Sequence, residues 1–219
     1  MIKYAIFDLD GTLLDTLEAI RYYVNITLEK YGATPISREE CRQFVGRGAK
    51  VLITMAMQSR GMDMARFDEV FLDYNKAYNS NPYYLTHPYE GIPELIDGLL
   101  SRGVTLAVLS NKPQIATEGA LNHFIPGKFA AVFGGREGKP LKPDKAALDE
   151  VMSALGATAD EVAYIGDSDV DVLTMKASSP KMGIAVSYGF RTKDELIASG
   201  ADVILESPLA VLDYIIKNA

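Results

Sequence analysis

The stretch "IKYAIFDLDGT", residues 2–12, decides the fold of this chain, because an apolar run ends there in two aspartates one residue apart. A strand rises about 3.3 Å per residue and alternates its faces, so the side chains of Asp8 and Asp10 are predicted to point the same way. Two like charges that close repel each other unless something compensates them. Gly11 allows the backbone to turn sharply afterwards. The stretch therefore predicts either a charged site at the end of a buried strand or an acidic turn.

Further apolar, β-branched runs follow along the chain, and most are followed by an amphipathic helical pattern. Continuous apolar strands separated by such helices indicate a parallel sheet that is covered on both faces. We therefore predict an α/β fold with a doubly wound, Rossmann-like parallel sheet. The predicted strands are Lys3–Asp8, Val104–Ser110, Ala130–Gly134, Val162–Gly166, Met182–Val186 and Asp202–Leu205.

Residues 16–87 interrupt this alternation with helical patterns only. A connection of about seventy residues is far too long for an ordinary loop between a strand and a helix, so it is predicted to be a small domain of its own. The prediction is an α/β core formed by residues 1–15 and 88–219, with a helical domain, residues 16–87, inserted into it. The two linkers, near Asp15–Thr16 and His87–Tyr89, are the expected hinges.

The composition argues against two classes of binding partner. The chain has 219 residues, with 22 basic and 29 acidic side chains and a net charge of −7. This balance argues against binding to nucleic acid or to an anionic membrane. The one cysteine, Cys41, excludes an internal disulfide, and the residues "MIKYAIFDLD" do not resemble a signal peptide. A cytoplasmic location is expected, and the sequence gives no indication of an oligomeric state.

Acidic side chains gather where the predicted strands end. Ligands of an open α/β sheet bind outside the carboxyl ends of its strands, so these carboxylates are expected to converge. Several carboxylates together favour a hard divalent cation with oxygen ligands, and Mg²⁺ fits best. His87 and His123 lie outside these loops, so neither zinc nor iron is expected. The carboxylates are Asp8, Asp10 and Asp167, with Asp169 and Asp171 close behind.

Polar and basic groups at the same edge indicate an anionic ligand. Ser110, Asn111 and Lys112 follow the second strand of the predicted sheet and precede a helix expected near Pro113. Hydroxyl, N–H and ammonium groups at a helix N-terminus suit phosphate, and Lys142 adds a second point charge. A metal and two lysines around an aspartate are what phosphoryl transfer requires.

These motifs, in this order, resemble those of the haloacid dehalogenase superfamily of phosphotransferases. "DLDGT" is similar to its first motif, Ser110 to its second, Lys142 to its third and "GDSDVD" to its fourth. Lys139 also precedes a proline, but only "KPDK" leads directly into a helix. The insertion resembles the helical cap of that superfamily. "FVGRGAKVL", "HPYEGIPELIDGLLSRGVTLAVLSNKP" and "VSYGFRTKDEL" resemble its phosphoglycolate phosphatase branch, whereas Pro180 in "MKASSPKMG" departs from the usual pattern.

The resemblance implies a two-step mechanism. Asp8 would attack phosphorus and form an aspartyl-phosphate, while Asp10 would protonate the leaving oxygen and later activate water. Mg²⁺ would be held by the Asp8 side chain, the Asp10 backbone carbonyl, Asp167 and waters. The implied phosphate-binding residues are Ser110, Asn111 and Lys142, and the implied supporting residues are Thr12, Lys112, Ser168 and Asp171. Asp171 would orient water or Lys142, or act only as a charge at a helix N-terminus.

The stretch "VGRGAK", residues 45–50, is the candidate for substrate selection within the insertion. Arg47 stands between two glycines at the expected start of a helix, and it can form a bidentate pair with a carboxylate. Gly48 and Lys50 complete this candidate specificity site. The alternative is an ordinary helix-entry turn with a solvated arginine.

The sequence thus predicts a Mg²⁺-dependent phosphomonoester hydrolase that acts on a small phosphorylated metabolite. Phosphoglycolate is favoured by the resemblance, although small caps also admit sugar phosphates, nucleotides, pyridoxal phosphate or pyrophosphate. A phosphomutase of the β-phosphoglucomutase type would share the whole core. A dehalogenase would need neither Asp10 as an acid nor Mg²⁺, and a phospho-accepting receiver module would lack the long insertion.

Overall fold

The computed structural model of the chain describes residues 1–218. Its strands are β1 (Tyr4–Phe7), β2 (Leu14–Asp15), β3 (His87–Pro88), β4 (Thr105–Pro113), β5 (Ala131–Gly135), β6 (Val162–Gly166), β7 (Met182–Val186) and β8 (Ile204–Leu205). Six of them form a parallel sheet in the order β5-β4-β1-β6-β7-β8. The order reverses at β1, which pairs with β4 on one side and with β6 on the other. The predicted α/β class is therefore confirmed.

Helices cover both faces of this sheet, because alternate side chains of each buried strand point to opposite sides. Phe7 and Ile165 lie in a hydrophobic cluster with residues of α5 (Ile92–Leu100) and α10 (Pro208–Asn218). Their neighbours Ile6 and Tyr164 lie in a second cluster with residues of α7 (Lys145–Leu155). The helices of this part of the chain are α5 (Ile92–Leu100), α6 (Gln114–Phe124), α7 (Lys145–Leu155), α8 (Asp169–Ser178), α9 (Lys193–Ala198) and α10 (Pro208–Asn218).

The chain divides into two compact units, one formed by Met1–Asp15 and the chain from Pro88 onward, the other by Thr16–His87. The short strands β2 and β3 pair with each other where the chain passes between the units. The Thr16–His87 unit contains α1 (Leu17–Lys30), α2 (Arg38–Phe44), α3 (Ala49–Ser59) and α4 (Phe67–Ser80).

A capping box starts α2, because the Ser37 hydroxyl accepts a hydrogen bond from the Glu40 N–H and the Glu40 carboxylate accepts one from the Ser37 N–H. The guanidinium of Arg60, which follows α3, donates to the same carboxylate at 2.7 and 2.8 Å. It also donates to the backbone carbonyls of Thr34 and Pro35, so one side chain joins two helices and a loop.

Among the described residues, no helix is long and apolar enough to cross a membrane.

Candidate active site

The backbone after β1 places the first two aspartates. The Asp8 N–H donates to the carbonyl of Ile165 in β6, which continues the sheet by one residue. One Asp8 carboxylate oxygen accepts from the Leu9 N–H at 2.7 Å. Gly11 has a φ of +86°, a conformation that L side chains rarely adopt, and its N–H donates to the carbonyl of Leu14. The glycine at position 11 therefore allows the chain to turn here, and the turn leaves Asp8 at the end of the strand.

A buried ammonium group lies beside Asp8. Lys142 Nζ lies 2.9 Å from Asp8 Oδ1 and 2.7 Å from Asp171 Oδ1, and the Lys142 side chain is 1% exposed. Burial disfavours the charged lysine, but the two carboxylates outweigh it and raise the pKa of Lys142 above its usual value. Lys142 is therefore a fixed positive charge between two carboxylates. By contrast Lys139, the other lysine considered, is half exposed and pairs with Glu150 at 3.0 Å.

The loop that carries Lys142 is held by Asn111. The Asn111 side-chain amide donates to the Lys142 carbonyl and accepts from the Lys142 N–H, both at 2.9 Å. Asn111 was predicted to bind phosphate, which stays a prediction, and in the structure its side-chain amide bonds to the backbone of Lys142. This pair of bonds joins the end of β4 to the loop before α7, so it fixes where the ammonium lies.

Asp171 is fully buried and accepts hydrogen bonds on both carboxylate oxygens. Lys142 Nζ and the Tyr164 hydroxyl each donate to Oδ1 at 2.7 Å. The N–H and hydroxyl of Ser168 donate to Oδ2 at 3.1 and 2.6 Å. Burial opposes ionisation, but these donors, Lys142 above all, hold the pKa of Asp171 below its ordinary value. Of its predicted roles, the geometry favours the orientation of Lys142.

Asp167, which directly follows β6, is positioned by a hydroxyl group, a backbone N–H and a closely packed glycine. Its oxygens accept from the Thr12 hydroxyl at 3.1 Å and from the Phe190 N–H at 2.7 Å. Gly189 packs against it, and a Cβ there would overlap the Gly11 carbonyl oxygen and the Cβ of Asp167. Burial, then Asp171 and Asp8, raise the pKa of Asp167 well above its ordinary value. This carboxylate therefore lies in a site with excess negative charge.

The carboxylates of Asp8, Asp167 and Asp171 form a group that could hold a metal ion, although both oxygens of Asp171 already accept hydrogen bonds. Each offers an oxygen, and these oxygens lie within 4.8 Å of one another. Burial, only partly offset by Lys142, raises the pKa of Asp8 to about 7. A divalent cation would supply the charge that one ammonium cannot, and an oxygen-only donor set suits Mg²⁺. The Asp10 carboxylate is outside this group; its predicted contact with the metal through the backbone carbonyl stays a prediction.

The side chain of Asp10 instead pairs with Lys112. Lys112 Nζ lies 3.1 and 3.2 Å from the two Asp10 carboxylate oxygens. The side chains are 8% and 20% exposed, respectively, so the pair is largely buried. Ser110, also buried, accepts a hydrogen bond on Oγ from the Lys112 N–H at 3.3 Å. The two lysines at this edge thus serve different carboxylates.

The candidate specificity residues lie at the start of α3 in the Thr16–His87 unit. Gly48 is the N-cap of α3 with a φ of +86°, which explains the glycine. Arg47 and Lys50 are exposed. Their role in substrate selection stays a prediction.

Residues around the site that the sequence analysis did not single out are Tyr164, Gly189, Phe190 and Arg191. Arg191 lies 3.3 Å from Asp169 and counteracts the rise in the pKa of Asp167. The stretch "VSYGFRTKDEL" had marked this loop only through its resemblance. The contact that matters most, the Phe190 N–H, is a backbone group, and every residue type except proline carries one.

Comparison with known proteins gives consistent matches. A family model described as haloacid dehalogenase-like hydrolase matches residues 5–186. A phosphoglycolate phosphatase of Cereibacter sphaeroides is 36% identical over 189 residues, which is 85% of each chain. A phosphoglycolate phosphatase of Vibrio parahaemolyticus is 31% identical over 229 residues, covering 100% of this chain and 98% of that one. A crystal structure from Lactobacillus delbrueckii subsp. bulgaricus superposes with a TM-score of 0.90 at 29% identity, covering 97% of this chain and 98% of that one.

Proposed function

The chain belongs to the haloacid dehalogenase-like hydrolases, and from that premise we propose that it is a Mg²⁺-dependent phosphatase that hydrolyses phosphoglycolate through phosphorylated Asp8. It is a phosphatase of the phosphoglycolate phosphatase-like branch; the metal, the covalent intermediate and the substrate are the proposal. One observation carries it. The buried Lys142 ammonium joins Asp8 to Asp171 beside Asp167, at the carboxyl end of the sheet.

In the first step an Asp8 carboxylate oxygen forms a bond to phosphorus while the ester P–O bond breaks. The leaving oxygen takes a proton from Asp10, so the alcohol departs neutral. In the second step water attacks the same phosphorus, and Asp10 takes the proton of that water. The Asp8–phosphorus bond breaks, which releases phosphate and restores the carboxylate.

The remaining groups bind and orient. Lys142 and Ser110 hold the phosphoryl oxygens, where the charge of the transition state develops. Asp171 and Asn111 fix Lys142 through its ammonium and its backbone. Asp8, Asp167 and the Asp10 carbonyl would hold Mg²⁺, which when bound neutralises charge so that one anion can approach another. In the same proposal, the Thr16–His87 unit is a cap that selects the leaving group. The proposed location of the enzyme is cytoplasmic.

The test is phosphate release from a panel of esters by the purified protein. We expect phosphoglycolate with Mg²⁺ to give the highest kcat/KM, and EDTA to abolish turnover until Mg²⁺ is restored. Full activity in metal-free buffer would contradict the mechanism. A preference for another ester would contradict phosphoglycolate as the substrate. Turnover of a sugar phosphate that depends on a bisphosphate activator would favour the phosphomutase alternative.

A further inference from the structure

Two buried lysines at the active-site edge have different partners. Lys142 lies beside Asp8, which the proposed function makes the nucleophile. Lys112 lies beside Asp10, the proposed acid, with its ammonium 3.1 and 3.2 Å from both carboxylate oxygens. The sequence had grouped both lysines around the phosphate. The structure separates them, one at the phosphoryl end of the reaction and one at the end where the alcohol leaves.

From this separation we infer that Lys112 recognises a carboxylate on the leaving group, placed next to the carbon that bears the ester oxygen. The inference rests on the proposed function, since it takes Asp10 as the group that touches the leaving oxygen. Because Lys112 belongs to the α/β unit and Arg47 to the Thr16–His87 unit, this assignment of the substrate class does not depend on Arg47.

Distance supports this assignment. Asp10 must lie within a hydrogen bond of the leaving oxygen, so the Lys112 ammonium lies within two hydrogen-bond lengths of it, about 6 Å at most. A glycolate carboxylate is two bonds from the ester oxygen. It therefore falls in the range of the ammonium without movement of the backbone.

Charge and burial support it too. The Lys112 side chain is only 8% exposed, so its charge is poorly screened by water. When Asp10 carries the proton that it gives to the leaving oxygen, this ammonium is left to pair with a second anion. The Lys112 N–H donates to Ser110 Oγ, which ties the lysine backbone to the phosphate-binding hydroxyl. The position of Lys112 relative to the phosphate is thus defined.

The experiment compares two esters that differ in one charge. In 2-phosphoglycolamide a neutral amide replaces the carboxylate of 2-phosphoglycolate, while the size and the phosphoryl group stay the same. The readout is the ratio of kcat/KM for the carboxylate to that for the amide. We expect the wild type to prefer the carboxylate, and Lys112→Gln to reduce this ratio about 10- to 100-fold, the range for loss of a charge-assisted hydrogen bond.

Three further variants make the test specific. Lys112→Arg keeps the charge and is expected to retain most of the preference. Lys139→Gln makes the same charge change at a half-exposed lysine paired with Glu150, and is expected to leave the ratio unchanged. Arg47→Gln tests the rival anion site in the Thr16–His87 unit. Thermal unfolding reports whether each variant is folded.

Several outcomes would overturn the inference. One is a wild type that treats the two esters alike, and another is a Lys112→Gln variant that keeps the preference while Arg47→Gln removes it. An equal loss on both esters would show that Lys112 acts only on Asp10. Failure of the proposed function is a separate result: no phosphate would be released from these esters or from p-nitrophenyl phosphate, and both ideas would fall together.

Discussion

Asp8 is a single residue whose negative charge is stabilised by the Lys142 ammonium and opposed by burial and by the Asp171 carboxylate. We expect Asp8→Asn to lower kcat by at least about 10³-fold, because an amide oxygen cannot serve as the nucleophile. The melting temperature is expected to stay the same or rise, because the change removes one of several crowded negative charges, while the Lys142 ammonium still pairs with Asp171. Turnover of p-nitrophenyl phosphate and thermal unfolding measure the two effects. A variant that retains a tenth of the activity would exclude Asp8 as the nucleophile.

Asp10→Asn is expected to separate the two functions of the aspartate pair. With phosphoglycolate, whose alkoxide needs a proton, loss of the acid should slow formation of the intermediate about 10²–10⁴-fold. With p-nitrophenyl phosphate, whose leaving group needs little protonation, the first step should suffer less. Single-turnover rates for both esters make the comparison. Equal losses in that first step would argue against Asp10 as the acid.

The residue types of the site could be predicted, but several of their partners could not. Motif order located Asp8, Asp167 and Lys142. The partners of Asn111 and Lys112 depend on β4, which extends through Pro113 with a change of register after Leu109. A sequence does not show such a change, so it does not show which side chain faces Asp10 and which faces the Lys142 loop.

At the scale of elements, the start of α2 depends on Glu40, which serves both the capping box and Arg60. Hydrogen bonds from Arg60 lower the pKa of Glu40 to about 2. A carboxyl group with a depressed pKa stabilises the fold above its unfolded pKa and loses that contribution as the pH falls through the folded one. We therefore expect this contribution to disappear between about pH 4.5 and pH 2.

Glu40→Gln tests this, with Glu39→Gln as its control on the same helical turn. Glu39 accepts hydrogen bonds from Arg42 and Gln43 of its own helix, and its side chain is 60% exposed. We expect Glu40→Gln to cost about 1 kcal/mol at pH 7, and the difference from wild type to shrink towards pH 2. Urea unfolding at several pH values measures it. A difference that is the same at pH 7 and pH 2.5 would show that the Glu40 charge is unimportant.

The elements themselves were predicted well wherever the pattern is long. Val162–Gly166 and Met182–Val186 form strands with the predicted bounds. The last strand begins at Ile204, two residues later than predicted. The two-residue strands β2 and β3 were missed, because Leu14–Asp15 and His87–Pro88 have no apolar alternation to reveal them. Backbone pairing alone defines such short strands.

At the scale of the whole molecule, the excess of buried carboxylates leads us to expect that a bound metal ion stabilises the folded protein. We expect Mg²⁺ to raise the melting temperature, by about 5–10 °C at a hundred times its Kd, because it binds the folded state alone. Asp167→Asn should remove this rise and should not lower the melting temperature of the metal-free protein, since it deletes a buried charge. Thermal unfolding with and without Mg²⁺ provides the measurement.

Asp169→Asn is the matched control, because it makes the same change two residues away, at an aspartate beside Arg191. It should keep the response to Mg²⁺. If Asp167→Asn also kept it, the ion would bind elsewhere on this acidic protein, whose net charge is −7.

The close packing of Gly189 against Asp167 bears on how natural variants of this chain should be interpreted. Gly189 has no functional group and would be ranked as a loop position. Yet even an alanine there would push against the Gly11 carbonyl and the Asp167 side chain, and so would displace two segments of the active site at once. A survey of variants that scored positions by their functional groups alone would overlook it. Gly189 should be grouped with the aspartates whose spacing it permits.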